Sequence, residues 1–311
     1  MSTAAIRDLR AVPPLPETPS TVEAPAPVPT RRPAASVAGT SLTLIGLLLL
    51  AFVAHVAVIG GLVHQRDQAT AYDDLRLALA NGTAPVGPTD VDGAALALGA
   101  PVALLDVPEL GLREVVLEGT TSGVTQSGVG HRRDTPLPGQ VGTSVLVGRK
   151  AGFGGPFRSL TSLSVDDLIT VTTGQGEQRF EVTSIRRSGQ PAPVVPAGTA
   201  GLTLVTALGS PFAPSGLVLV DAVAITPVQP RPASGFAPGA LPVAERALEG
   251  EPAAAYPLVL WCQALLLAAL GYTWARVRWG RRQAWLVGVP VLIILSLVVA
   301  DTGSRLLPNV L

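Results

Sequence analysis

Three apolar runs dominate this sequence, and each can cross a bilayer as a single helix. They cover residues 39–63, 256–275 and 284–300. As an α-helix, the stretch from Ser41 to Val63 would extend roughly 34 Å, which is enough for the hydrocarbon core of a membrane. Only 14% of all residues are charged, too few for the surface of an ordinary soluble protein. The sequence therefore predicts three transmembrane helices.

Arginines orient these spans. Arg31 and Arg32 precede the first run, and the loop 276–283 between the other two carries four arginines. Because cytoplasmic loops next to membrane spans are enriched in arginine and lysine, both clusters are predicted to be cytoplasmic. Residues 65–255 and the tail 301–311 then lie outside. A cleaved signal peptide is the alternative for the first run, but no small-residue cleavage site clearly follows it.

Composition divides the rest of the chain. The first 38 residues are rich in Pro, Ala, Thr and Ser without apolar periodicity, which predicts a disordered tail. Tyr72, Leu75 and Leu79 lie three and four residues apart, which predicts a juxtamembrane helix that ends at an Asn-Gly pair. The predicted segments are a cytoplasmic tail 1–38, a span 39–63, a helix and linker 64–100, a β-domain 101–227, a Pro/Gly/Ala-rich linker 228–255, a span 256–275, a basic loop 276–283, a span 284–300 and an outer tail 301–311.

The segment 101–227 has the pattern of a β-domain. Apolar residues alternate in short runs that Gly- and Pro-containing turns separate. Seven such runs over about 125 residues predict a single all-β barrel or sandwich outside the membrane. The predicted strands are Val102–Val107, Arg113–Leu117, Thr143–Val147, Leu168–Thr173, Arg179–Ile185, Leu202–Thr206 and Leu217–Ile225.

Several common chemistries have no signal in this chain. The formal net charge is zero, and no basic-aromatic patch, phosphate-binding loop or metal-ligand spacing occurs. The sequence thus predicts no cofactor, no metal and no nucleic-acid partner. Cys262, the only cysteine, lies in an apolar run, where a small buried hydrophobic residue is the expected role.

Three motifs in a fixed order resemble one family. Leu104–Thr120, Gly128–Phe157 and Leu202–Val220 are similar to segments of sortases, the cysteine transpeptidases of Gram-positive cell surfaces, and most of all to the actinobacterial class E. The resemblance implies that residues 101–227 form a closed β-barrel. It also implies a sorting-signal peptide or a surface protein as the partner.

The same resemblance places the three catalytic positions of a sortase, and all three are changed. Arg149 stands at the histidine position, Ala207 at the cysteine position and Gly216 at the arginine position. Alanine has no nucleophilic atom, and arginine does not give up its proton at neutral pH. Glycine offers a developing oxyanion at best a backbone N–H. The strand pair around Ala207 is therefore expected to end in a chemically bare tip that Arg149 and Lys150 make basic.

Three hypotheses for function follow from these positions. The first is a membrane-anchored sortase-fold pseudoenzyme that binds a peptide or a cell-envelope ligand, or assists the assembly of surface proteins. The second is an active transferase with a relocated nucleophile, and the third is a structural subunit of a membrane complex. His131 matches a second histidine of class E sortases and is expected to make a structural hydrogen bond. The candidate ligand-binding residues are Arg149, Lys150, Thr206, Ser210, Ser215 and His131.

Overall fold

The computed structural model describes residues 50–90, 92–210, 213–232, 239–278 and 280–311. The predicted cytoplasmic tail 1–38 lies outside these ranges, and so do residues 39–49 of the predicted first span. The orientation signal at Arg31 and Arg32 lies outside them as well.

The β-domain is a closed barrel of eight strands in the order β1-β2-β3-β4-β7-β8-β6-β5. The pairs β2–β3 and β4–β7 are parallel, and the other neighbours are antiparallel. Closure leaves no free edge strand. The strands are β1 (Pro101–Val107), β2 (Leu112–Glu118), β3 (Val129–His131), β4 (Gly142–Val147), β5 (Leu168–Thr173), β6 (Gly176–Arg187), β7 (Ala200–Ser210) and β8 (Ala213–Ala224).

The predicted strands are all present, but the prediction needs two corrections. It missed β3, which has three residues, all buried, and therefore shows no alternation. It also ended the predicted strand Leu202–Thr206 too early, because β7 continues through Ala207 to Ser210. The protein is not strictly all-β, because helices precede the barrel, connect β2 to β3 and follow the barrel. They are α1 (Gly60–Asn81), α2 (Ser122–Ser127), α3 (Ala255–Arg278) and α4 (Arg281–Ser304), with a π-helical turn at His55–Ile59 before α1.

Inward-facing aliphatic and aromatic side chains fill the barrel. Phe157, Phe180 and Leu204 are fully buried in one cluster to which every strand contributes. Strands around a filled interior alternate between inward and outward side chains, which is the signal that revealed them.

Helix α1 packs against the barrel wall at β2. Leu75 and Ala71 belong to a buried cluster with Val115 and Leu117, while Tyr72, predicted on the packing face, is exposed. Gly82 caps the helix in a left-handed conformation, as the Asn-Gly pair predicted.

Polar contacts hold the same helix at its N-terminal end. The Gln68 amide accepts from Val115 N at 2.7 Å and donates to Val115 O at 3.2 Å, as a neighbouring strand would. His64 Nε2 lies 3.0 Å from Glu114 Oε1, and its Nδ1 lies 3.2 Å from the Gln126 carbonyl oxygen. Burial lowers the pKa of His64, but its hydrogen bond to Glu114 and the charge of that carboxylate outweigh burial and raise the pKa overall.

Two helices of the described residues are long and apolar enough to cross a membrane. These candidate spans are Pro252–Tyr272 and Arg282–Ser304, close to the predicted second and third runs. Gly288 of α4 permits the close approach of the two helices, because a Cβ there would overlap the Tyr272 ring of α3. Cys262 is exposed on α3 rather than buried. Within the described ranges the structure thus has two candidate spans, not three, and residues 39–49 of the predicted first span lie outside those ranges.

Candidate functional site

The three altered positions lie together on neighbouring strands. In the parallel pair β4–β7, Val147 is opposite Val205, so Arg149 follows β4 at the level of Ala207. On the other side of β7, Gly216 of β8 is opposite Leu208. The positions that the sequence assigned to a sortase triad therefore converge at one end of the barrel wall.

The chain between β4 and Arg149 is tightly packed. A Cβ at Gly148 would lie 2.5 Å from the Phe157 ring, so only glycine lets that ring seal the barrel beneath the site. Thr206 is buried, and its hydroxyl donates to the Gly148 carbonyl oxygen at 2.9 Å. Thr206 therefore ties β7 to the end of β4, and its Oγ1 is not presented to solvent.

Arg149 is completely buried, which corrects the expected basic tip. Its Nη2 donates to Ser122 Oγ at 2.7 Å, and its Nη1 donates to the Leu311 carbonyl oxygen at 3.0 Å. The guanidinium also lies over the Phe153 ring. Burial lowers its pKa to about 9, so the group stays charged at neutral pH.

Residues 305–311, called here the docked segment, cover two of the altered positions, Ala207 and Arg149. They belong to the predicted outer tail 301–311, and Asn309 and Val310 are fully buried. Val310 packs in an apolar cluster with Val147, Val205 and Ala207. The Lys150 backbone N–H donates to the Val310 carbonyl oxygen at 3.0 Å. The docked segment therefore fills the space beside Ala207 that was expected to be open.

The hydroxyls at the β7–β8 hairpin have no base beside them among the contacts of the described residues. Ser210 and Ser215 are exposed, and Ser215 Oγ donates to the Leu208 carbonyl oxygen at 3.3 Å. Lys150 is half-buried, and its Nζ donates to the Gly209 carbonyl oxygen at 2.8 Å. These residues line the hairpin, whose tip at 211–212 lies outside the described ranges.

His131 is buried away from that hairpin. Its Nδ1 lies 2.8 Å from Glu118 Oε2, and its Nε2 lies 3.0 Å from the Pro136 carbonyl oxygen. Both ring nitrogens are engaged by these groups, with Thr135 Oγ1 a further 3.4 Å from Nε2, and no contact in the described ranges joins His131 to Ser210, Ser215 or Thr206. This arrangement matches the structural role expected for His131.

A cavity of about 500 Å³ adjoins the altered positions on the outer face of β4, β7 and β8. Val145, Val205, Leu217 and Leu219 give it an apolar wall, and Val195 closes it from the β6–β7 connection. Residues 239–247, predicted as linker, contribute the opposite wall. Apolar pockets with a few polar groups are the usual binding sites of proteins.

A buried ion pair lines the same cavity, and the sequence analysis did not identify it. Arg186 Nε donates to Asp221 Oδ2 at 2.6 Å, and Thr203 Oγ1 donates to Asp221 Oδ1 at 2.8 Å. The signal was present, since Thr203 and Asp221 interrupt the apolar runs of β7 and β8. Within the described residues, no group of three His, Cys, Asp or Glu side chains could hold a metal ion.

Comparison with known proteins identifies the domain that carries this site. Residues 105–213 match the family described as Sortase domain. A search of curated proteins finds no match. Solved structures similar to this chain include a Clostridium perfringens sortase D5 transpeptidase, at 20% identity over 52% of this chain and 99% of that chain, with a TM-score of 0.44. Sortase E from Streptomyces avermitilis is 26% identical over 42% of this chain and 91% of its own, with a TM-score of 0.37.

Proposed function

We propose that this chain, whose residues 105–213 match the family described as Sortase domain, is a membrane-anchored sortase-fold pseudoenzyme. It binds an extended peptide of the cell envelope beside the altered positions and does not cleave it. One observation carries the proposal. Ala207 occupies the nucleophile position with its side chain fully buried against Val310, and the only cysteine of the sequence is on α3.

The two candidate spans support membrane anchoring. Their side chains are mostly exposed, and each helix contains an 18-residue window of high mean hydropathy, 1.8 in the first and 2.3 in the second. Such surfaces are stable in lipid and not in water. In the proposed topology the arginine-rich loop between α3 and α4 is cytoplasmic, and the barrel lies outside the cell.

A pair of reporter fusions tests this topology. Alkaline phosphatase inserted after Gly239 should be active, because that position belongs to the proposed outer domain. The same enzyme inserted after Gly280, in the arginine-rich loop, should be inactive, and a cytoplasmic reporter should show the opposite pattern. Phosphatase activity at Gly280 with none at Gly239 would refute the orientation.

The cavity supports an apolar extended peptide as the ligand. Its apolar wall follows the outer faces of β4 and β7, where a peptide can lie along the strands. The buried ion pair Arg186–Asp221 and the hydroxyl of Thr203 supply fixed polar groups at its floor. The family resemblance points to a sorting-signal peptide as the first ligand to examine.

Peptide binding by the full-length chain in detergent micelles tests the proposal. A fluorescent sorting-signal peptide should increase in anisotropy with the parent protein and remain uncleaved. Leu219→Asp places a charge in the apolar wall, and we expect it to weaken binding at least about tenfold. Leu168→Asp is the matched control, because Leu168 is exposed on β5 and does not line the cavity. Equal binding by both variants, or none by the parent, would contradict the proposal.

A further inference from the structure

The docked segment is held as firmly as a part of the core. Leu306 packs so closely on Gly250 that a Cβ there would overlap the Leu306 backbone. Asn309 N donates to the Glu249 carbonyl oxygen at 2.9 Å, and Asn309 Nδ2 donates to the carbonyl oxygens of Ala244 and Arg246 at 2.7 and 2.9 Å. This segment thus has its own binding site, which residues 244–250 and the barrel wall form together.

The same site lies next to the cavity. Val147 and Val205 line the cavity, and both also belong to the apolar cluster that contains Val310 and Ala207. Val310 therefore packs beside the cavity, where β4 and β7 carry the altered positions. Polar groups complete the contact, since Lys150 N and Arg149 Nη1 donate to the carbonyl oxygens of Val310 and Leu311.

The docked segment supplies a hydrogen-bond acceptor to the buried Arg149. In the described ranges the hydrogen-bond acceptors of Arg149 are Ser122 Oγ, the Ser122 carbonyl oxygen and the Leu311 backbone oxygen, and its Nε has no partner there. A buried cation without a hydrogen-bonding environment is costly. Because Leu311 supplies one of its few acceptors, departure of the segment would leave Arg149 Nη1 available to another carbonyl or carboxylate oxygen.

We propose that residues 305–311 are an internal peptide ligand that occupies the site of Ala207 and Arg149 beside the cavity. An external peptide reaches Ala207 and Arg149 only when this segment leaves, and it then replaces the Val310 side chain and the two carbonyl oxygens. This inference extends the proposed peptide binding and rests on it for the external ligand. The docking of residues 305–311 at this site does not depend on whether an external peptide binds.

Thiol labelling of the full-length chain in detergent tests the occupancy. In a Cys262→Ser background, Ala207→Cys should react slowly with a maleimide, because Val310 covers position 207. Ser210→Cys introduces a thiol three residues further along β7, at an exposed position, and should react rapidly. Adding Val310→Asp to Ala207→Cys should displace the segment and raise the labelling rate at least about tenfold through local opening.

Two controls separate release of the segment from other changes. Leu306→Asp adds the same charge to the segment at a side chain that is 37% exposed, and it should leave the thiol at position 207 protected. Val171→Cys, at a fully buried position of β5, should stay protected in the Val310→Asp protein, because the barrel remains folded. If Val310→Asp unfolds the barrel, Asn309→Ala replaces it, since it removes two side-chain hydrogen bonds without adding a charge.

The outcomes also separate this inference from the proposed function. Rapid labelling of Ala207→Cys with the segment unaltered, or no acceleration by either release variant, would overturn the internal ligand. If the thiol at position 207 becomes reactive on release but no peptide binds in either state, the internal ligand stands and the proposed function fails. Tighter binding of the fluorescent peptide in the release variant supports both.

Discussion

We expect the full-length chain to release no product from a sorting-signal peptide, with or without an acceptor amine, and Ala207→Cys alone to leave it inactive. Loss of the nucleophile of a triad costs on the order of 10⁶-fold in kcat, and triad members act as a unit. A thiol at position 207 would still lack a proton acceptor at position 149 and a cation at position 216. Mass spectrometry of the peptide after long incubation measures the expected result.

Restoring the chemistry requires the triad and an open site. The triple change Ala207→Cys, Arg149→His and Gly216→Arg should stay inactive, because Val310 still covers position 207. With Val310→Asp added, we expect slow hydrolysis, for which the control is the same protein with alanine retained at position 207. An arginine at position 216 would be strained, because φ there is +157° and a Cβ would lie 2.8 Å from Ser188 Oγ, which accepts from Leu217 N.

A relocated active site would give the opposite result in the same assay. Robust turnover by the parent chain, abolished by Ser210→Ala, Thr206→Ala or His131→Ala, would establish such a site and overturn the pseudoenzyme.

The sequence predicted the barrel because its strands leave a local record. Alternation along Leu202–Thr206 and Leu217–Ile225 reflects side chains that point alternately into and out of a filled interior. The parallel pairing of β4 with β7 joins strands that are far apart in the sequence. The resemblance to a family implied only that Arg149 and Ala207 lie close together, and not that these strands are parallel. The three-residue strand β3 left no alternation, and it pairs with β2 and β4 across two connections.

Local sequence patterns could not predict that residues 305–311 fill the site beside Ala207 and Arg149. Leu311 contacts Arg149 across 162 residues of sequence, and residues 305–311 have no periodicity that marks a docking segment. Arginine at position 149 suggested a solvated charge, because arginine is rarely buried without a partner. Its burial depends on Ser122 at the start of α2 and on the docked segment, and both become neighbours only in the folded chain.

The second large effect is expected from the ion pair between Arg186 and Asp221 at the floor of the cavity. We expect Asp221→Ala to lower the free energy of unfolding by about 3–5 kcal/mol, because it leaves Arg186 and Thr203 largely buried without their acceptor. The side chains of Arg186 and Asp221 are only 16% and 6% exposed, so water replaces the lost bonds poorly. The tryptophans of the chain, at positions 261, 274, 279 and 285, all lie outside the barrel sequence. Pulse proteolysis in urea is therefore a better measurement of barrel stability than tryptophan fluorescence.

Two further variants decide whether burial of the pair causes this loss. Glu177→Ala breaks the ion pair with Arg179, whose side chains are 51% and 58% exposed on the same sheet, and it should cost less than about 1 kcal/mol. The double change Arg186→Met with Asp221→Leu removes both charges and should recover most of the stability lost in Asp221→Ala. Equal losses in Asp221→Ala and Glu177→Ala would mean that the ion pair does not organise the cavity floor. A larger loss confined to Asp221→Ala would show that the buried pair holds β6, β7 and β8 together at the cavity floor.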